Sequence, residues 1–181
     1  MKDRKLLNIE LGRMTPEEYK SKPESGIVVV LDNVRSAHNV GSAFRSADAF
    51  GADLCVLCGI TALPPSVEIH KSGLGAEDSV PWIHFDDTLE AVKYLRARGY
   101  VIASVEQTLN AVELQHYHNP GKVAFVFGNE VDGVRQDVVD ASDLSLVIPQ
   151  FGTKHSLNVS VTVGVVLWQA VSDPAPYTPS R

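Results

Sequence analysis

Apolar residues along this chain fall in short β-branched runs, each followed by a turn or by a stretch with helical spacing. The first run is 27–31; Val40, Ala43, Phe44, Ala47 and Phe50 then share one helical stripe, which Gly51 ends. Residues 54–57 read as a second strand and 82–85 as a short third. Asp87-Thr88-Leu89-Glu90 has the form of a capping box, opening a helix that runs through Arg98 and closes at Gly99. Residues 100–105 and 123–127 are further strands, and a short helix over 136–141 precedes a strand at 144–148. Strands alternating with helices predict an α/β fold, a mostly parallel sheet flanked by helices.

Two segments resist the pattern. Residues 61–77 form a Pro/Gly-punctuated loop, long for a compact α/β unit and therefore a candidate functional loop. After Ser156, the residues Asn158, Ser160 and Thr162 alternate with Val159, Val161 and Val163, which reads as strand. Ser156 is nonetheless a good helix N-cap, and the run to Ala170 is long for a strand, so the residues leave both readings open. The expected layout is an N-terminal helical extension at 1–25, one domain at 26–171 and a disordered, proline-bearing tail at 172–181.

Length and composition then exclude several classes. With 181 residues, 44% of them apolar, the chain can bury one full core. No apolar run reaches the roughly 18 residues that span a bilayer. The charged start Met1-Lys2-Asp3-Arg4-Lys5 is unlike a secretory signal, so a cytoplasmic protein is expected. A net charge of −6 argues against a nonspecific nucleic-acid binder, although residues 1–22 hold six of the 16 basic residues. Cys55 and Cys58 lie in an apolar strand-like run without a second ligand pair and read as buried thiols.

The candidate chemistry lies in three polar motifs at strand ends, where open α/β sheets place their sites. The first, Asn39 to Arg45, puts Asn39 nearly two turns before an arginine whose planar fork suits phosphate. The second puts Glu130 between Gly128 and Gly133, which permit tight turns and close backbone approach. The third sets Ser156 and Asn158 at a possible helix start. Singly, Arg45 reads equally as a surface ion-pair residue, Glu130 as a loop carboxylate and Ser156 as a cap. Their occurrence together points to one site.

Together, Asn39-Val40-Gly41…Arg45, Phe127-Gly128-Asn129-Glu130…Gly133-Val134 and Ile148-Pro149…Ser156-Leu157-Asn158-Val159-Ser160 resemble the signature motifs of the SpoU (TrmH-like) RNA 2′-O-ribose methyltransferases of the SPOUT superfamily. Where that family often has Met and Ala, this chain has Gln150 and Thr162. The resemblance implies a SPOUT-type fold with a C-terminal trefoil knot, against the general rule for chain threading. It also implies a helix from Ser156 onward. S-adenosyl-L-methionine would sit bent in the knot, held by backbone around Gly128, Ile148 and Leu157, with Val105 as a fourth contact. A homodimer with its site at the subunit interface is implied as well; Val161, Val165 and Trp168 suit such an interface and suit a core equally.

By the same resemblance, Arg45 activates the ribose hydroxyl. Guanidinium loses a proton only above a pKa of about 12, so the role we expect is binding RNA phosphate and stabilising a developing alkoxide. Glu130 would orient Arg45 or balance charge, while Asn39, Ser156 and Asn158 would hold ribose and phosphate. No metal is expected, since His116 and His118 lack further ligands. His155 beside Ser156 lacks a nucleophile elbow. Lys71, after His70 in the long loop, reads either as an RNA contact or as a solvated residue.

Three readings compete: an S-adenosylmethionine-dependent RNA ribose methyltransferase, a noncatalytic RNA-binding or assembly factor of the same fold, and a generic nucleotide-binding protein. The presence together of Arg45, Glu130 and Asn158 opposes the second. The lack of a Walker sequence and of a full glycine fingerprint opposes the third. With no recognisable added RNA-binding module, residues 1–25 and a partner subunit would supply recognition, and tRNA is expected ahead of rRNA.

Overall fold

A computed structural model describes residues 3–172, so most of the expected disordered tail lies outside the described residues. Seven strands, β1 (Ile27–Asp32), β2 (Leu54–Cys58), β3 (Trp82–Phe85), β4 (Val101–Val105), β5 (Val112–Glu113), β6 (Val123–Phe127) and β7 (Leu144–Val147), form one sheet. They bond in the order β3-β2-β1-β6-β4-β7-β5, and every pair is parallel. Every residue of β1 and β6 is buried, which explains their unbroken apolar runs: a parallel sheet is covered on both faces.

Among the described residues seven α-helices accompany the strands: α1 (Pro16–Ser21), α2 (Ala37–Ala49), α3 (Val67–Gly73), α4 (Ala76–Ser79), α5 (Thr88–Arg96), α6 (Gln136–Asp140) and α7 (Val159–Ser172). Strand parity sorts the core into two layers. Val29, Leu31, Leu57 and Phe125 pack with Phe44 of α2 and Val163 and Leu167 of α7. Val28, Val30, Val56 and Val126 pack with Val92 and Leu95 of α5 and Val138 of α6. The α/β architecture expected from the sequence is therefore present.

The differences are local. The long 61–77 loop contains α3, capped by the Ser66 hydroxyl accepting from Ile69 N, and the start of α4. Asp87 caps α5 by accepting from Leu89 N, but that helix ends at Arg96. The last segment is helical, yet it begins at Val159 rather than Ser156. Asn158 Oδ1 accepts from Ser160 N at 2.8 Å, so Asn158 is the cap that Ser156 was expected to be. Val159, Val163, Val166, Leu167 and Ala170 are buried at helical spacing, whereas Val161, Val165 and Trp168 are exposed and do not belong to the core. Among the described residues, no helix is long and apolar enough to cross a membrane.

In the segment before the sheet, the Tyr19 hydroxyl donates to the carbonyls of Ala47 and Ala52, and Lys22 pairs with Asp53 at 2.8 Å. Cys55 and Cys58 are free and buried. Three positions apart on one strand, they face opposite layers, so neither can join the other in a metal site. Burial pushes the Cys58 thiol up to about 12 and raises Cys55 as well.

Both thiols should therefore resist an aromatic disulfide reagent at pH 8 until the chain is unfolded. Because folding holds them protonated, their contribution to stability is present below the ordinary thiol pKa and is lost as pH rises above about 9. Denaturant midpoints measured between pH 7 and 10 should fall across that range, and less so in a Cys55→Ala, Cys58→Ala double variant.

Candidate functional site

β4, β6 and β7 end side by side, and their carboxyl ends open on a cavity of about 310 Å³. Val105, Phe127, Leu146, Ile148 and Leu157 give it apolar walls, while Glu106, Glu130, His155 and Ser156 bring polar groups to it.

The loop after β6 closes on itself through a two-way backbone bridge between Asn129 and Gly133. The Asn129 side-chain oxygen also accepts from Val131 N at 3.0 Å and Asp132 N at 2.9 Å. A Cβ on Gly128 would collide with the backbone of Gly133 and Val134. Gly133 has φ +69° and lies against the Glu106 carboxylate, which accepts from Val134 N at 2.9 Å. Both glycines are thus required by loop closure. The chain leaving the loop is anchored at Asp32, buried at the end of β1, whose carboxylate accepts from Arg135 N and the Thr88 hydroxyl.

That loop presents Glu130 to Asn39 in the first turn of α2. Asn39 Nδ2 donates to Glu130 Oε1 at 2.6 Å, and Asn158 Nδ2 donates to Asn39 Oδ1 at 3.1 Å. Asn158 Oδ1 in turn accepts from the backbone N and hydroxyl of Ser160. One chain of bonds therefore joins the three motifs, between residues 91 and 119 positions apart.

Glu130, Ser156 and all four residues expected at the cofactor line the cavity; Asn39 and Asn158 adjoin it through their bonds. Arg45 does not line it. It is exposed on α2, about 9 Å along the axis from Asn39 and roughly 120° around it. Among the described residues it has no hydrogen bond or ion pair, and Glu130 meets Asn39 rather than Arg45. Sequence reasoning missed Glu106 and Gln107, whose Nε2 donates to the His155 carbonyl at 2.6 Å. The signal was available: two polar residues directly follow the apolar run of β4.

Elsewhere, His70 and Lys71 line a second cavity of about 630 Å³ beside Trp82. His70 Nδ1 bonds Glu77 Oε1 at 2.8 Å, and Asp78 lies in the same group of potential ligands. His116 stands 3.6 Å from Glu113.

Residues 26–168 match the profile of the SpoU rRNA Methylase family. The chain belongs to that family. It is 31% identical over 144 residues to the 23S rRNA (guanosine-2′-O-)-methyltransferase RlmB of Neisseria meningitidis serogroup B, covering 80% of this chain and 57% of the relative. The RlmB of Nitrosomonas europaea is 35% identical over 150 residues, with 81% and 56% covered. An AdoMet-bound rRNA methyltransferase from Sinorhizobium meliloti superposes with a TM-score of 0.76 at 27% identity, over 83% of this chain and 58% of that one. The chain thus spans less than two thirds of the length of these relatives. All three are named for ribosomal RNA, so the expectation of tRNA ahead of rRNA finds no support in them.

Asn158→Ala removes both the α7 cap and the bond to Asn39. It should lower stability by about 1 kcal/mol in urea denaturation, and Asn158→Ser, which can still cap, should recover most of that.

Proposed function

We propose that this SpoU family chain is an S-adenosyl-L-methionine-dependent RNA methyltransferase that methylates a ribose 2′-hydroxyl, acting in the cytoplasm as a homodimer. The observation that carries this reading is the bonded junction Glu130–Asn39–Asn158 beside the strand-end cavity. It gathers three motifs into polar surface next to apolar walls.

The cavity residues fit the cofactor. Its volume is at the lower end of the ligand-pocket range of about 300–1,000 Å³. Val105, Ile148 and Leu157 offer apolar contacts for an adenine ring, and strand-end backbone at Gly128 offers hydrogen bonds. The bound cofactor would supply an electrophilic sulfonium methyl. The chain's own work is then to hold the ribose oxygen and compensate its charge as its proton passes to solvent water. Asn39, Ser156 and Asn158 supply polar groups for ribose and phosphate, and the Glu130 carboxylate fixes the Asn39 amide. Arg45 binds the adjoining phosphate and stabilises the developing alkoxide without itself taking a proton. The same reading takes the chain after β7, between residues 148 and 158, through a trefoil knot before α7 returns to α2.

The position of Arg45 supports the dimer. Arg45 is exposed on α2, which meets α7 where Ser46 faces Gly164, and α7 bears an exposed stripe of Val161, Val165, Trp168 and Val171. A second copy covering that stripe removes it from water and brings Arg45 into the interface. Ribosomal RNA is the first substrate to test, since the named relatives act there. The lack of a recognisable added RNA-binding module is no argument for tRNA in a chain that covers 57% and 56% of these relatives.

Radiolabelled S-adenosylmethionine incubated with ribosomal and transfer RNA transcripts, followed by nucleoside digestion, should place label on ribose. Arg45→Ala should lower turnover by about 100-fold or more, as losing one preorganised donor does, with cofactor affinity by calorimetry held. Wild-type rates in that variant would remove Arg45 from the mechanism. Trp168→Glu should yield monomers by light scattering and abolish transfer; an active monomer would refute the interface.

A further inference from the structure

The loop walling the cavity carries an aromatic ring that the site described above does not use. Phe151 is 96% exposed and directly follows Gln150, which lines the cavity. Residues 150–158 are all exposed, and the segment is fastened by the bond from Gln107 to the His155 carbonyl. On the loop after β6, Val131 lines the same cavity while 88% exposed, and Leu157 lines it at 40%. Single exposed apolar residues are ordinary on protein surfaces. Val131 and Leu157 give the opening an apolar rim, and Phe151, one residue along the chain from the lining Gln150, adds an exposed aromatic ring next to it in sequence. Lys154, three residues on, is exposed and has no hydrogen bond or ion pair among the described residues.

We propose that Phe151 is a stacking platform for an unpaired RNA base at the mouth of the cavity, with Lys154 meeting the neighbouring phosphate. The inference deepens the ribose-methylation reading and rests on it. A ribose whose 2′-oxygen points into the cavity carries its base on the adjacent sugar carbon. That base, or the one beside it, must therefore stand at the rim. Within an A-form helix both faces of a base are already stacked, whereas in loops, bulges and single strands a base can be splayed out onto an aromatic ring. Phe151 replaces the lost stacking and is tolerant of base identity, because every base has a π-face. The selection exerted here is for an unstacked nucleotide rather than for a sequence.

The test uses the full chain with Phe151→Ala, Phe151→Trp and Lys154→Ala. The probes are a fluorescein-labelled 12-nucleotide uridine RNA, a 12-base-pair RNA duplex and the ribosomal transcript. Phe151→Ala should weaken binding of the single strand about 10-fold, within the range of one lost stacking contact, and Phe151→Trp should restore it. Duplex binding should not change with either. Lys154→Ala should flatten the salt dependence of single-strand binding. On the transcript, Phe151→Ala should raise KM and leave kcat in place.

Equal single-strand affinity in Phe151→Ala and wild type would overturn the proposal, as would equal weakening of single strand and duplex. A shift from dimer to monomer in Phe151→Ala would overturn it too, by assigning the ring to the subunit interface. If the wild type binds the single strand through Phe151 yet transfers no methyl to any RNA, the ribose-methylation reading fails while the stacking platform stands.

Discussion

The Asn39 side chain is the constraint on which this site depends. A primary amide donates from one end and accepts at the other, and an ionised carboxylate only accepts. Glu130 therefore fixes which way the Asn39 amide faces, and the remaining oxygen is left to receive Asn158. Asn39 is 8% exposed, so its own amide depends on these two partners, which reach it from the exposed residues Glu130 and Asn158. The geometry is circular: Asn158 caps α7, α7 packs on α2, and α2 carries Asn39. The bonds that arrange polar groups beside the cavity also hold the last helix in place.

A second support comes from below. Asp32 at the end of β1 takes the Thr88 hydroxyl at the start of α5 and the Arg135 amide before α6. Arg135 in turn bridges Asp87 and Asp137 at 3.0 and 2.7 Å. The loop bearing Glu130 is thereby tied at its exit to the strand from which α2 departs. Its shape needs no flexible support, because Gly128 and Gly133 let its own backbone close.

How much of this was legible follows from burial. Strands such as Val28–Val30 and Val123–Phe127 announce themselves because burial on both faces demands unbroken apolar residues. Residues 158–163 mislead for a physical reason: alternate valines satisfy a period of two, and only the continuation to Val166, Leu167 and Ala170 discloses the helical period. The Glu130–Asn39–Asn158 junction was legible as three motifs near strand ends but not as a bonded chain, since side-chain pairing across 119 positions leaves no local trace. Arg45 was legible as part of a motif but not as a place, for no local pattern tells that it lies exposed on α2 and outside the cavity. Phe151 left no signal, for an exposed ring in a loop belongs to no periodicity.

The strand order has a consequence for how the chain is made. β6 lies between β1 and β4, and β7 lies between β4 and β5, so each latecomer enters a gap flanked by strands synthesised earlier. β1 and β4 emerge from the ribosome with no partner for their facing edges until residues 123–127 arrive. Pairings so distant along the chain form slowly, and open strand edges invite association with other chains. The sheet that gathers the three motifs is thus closed last in its interior, after the strands on either side have been made, and the nascent chain must keep those edges apart until then.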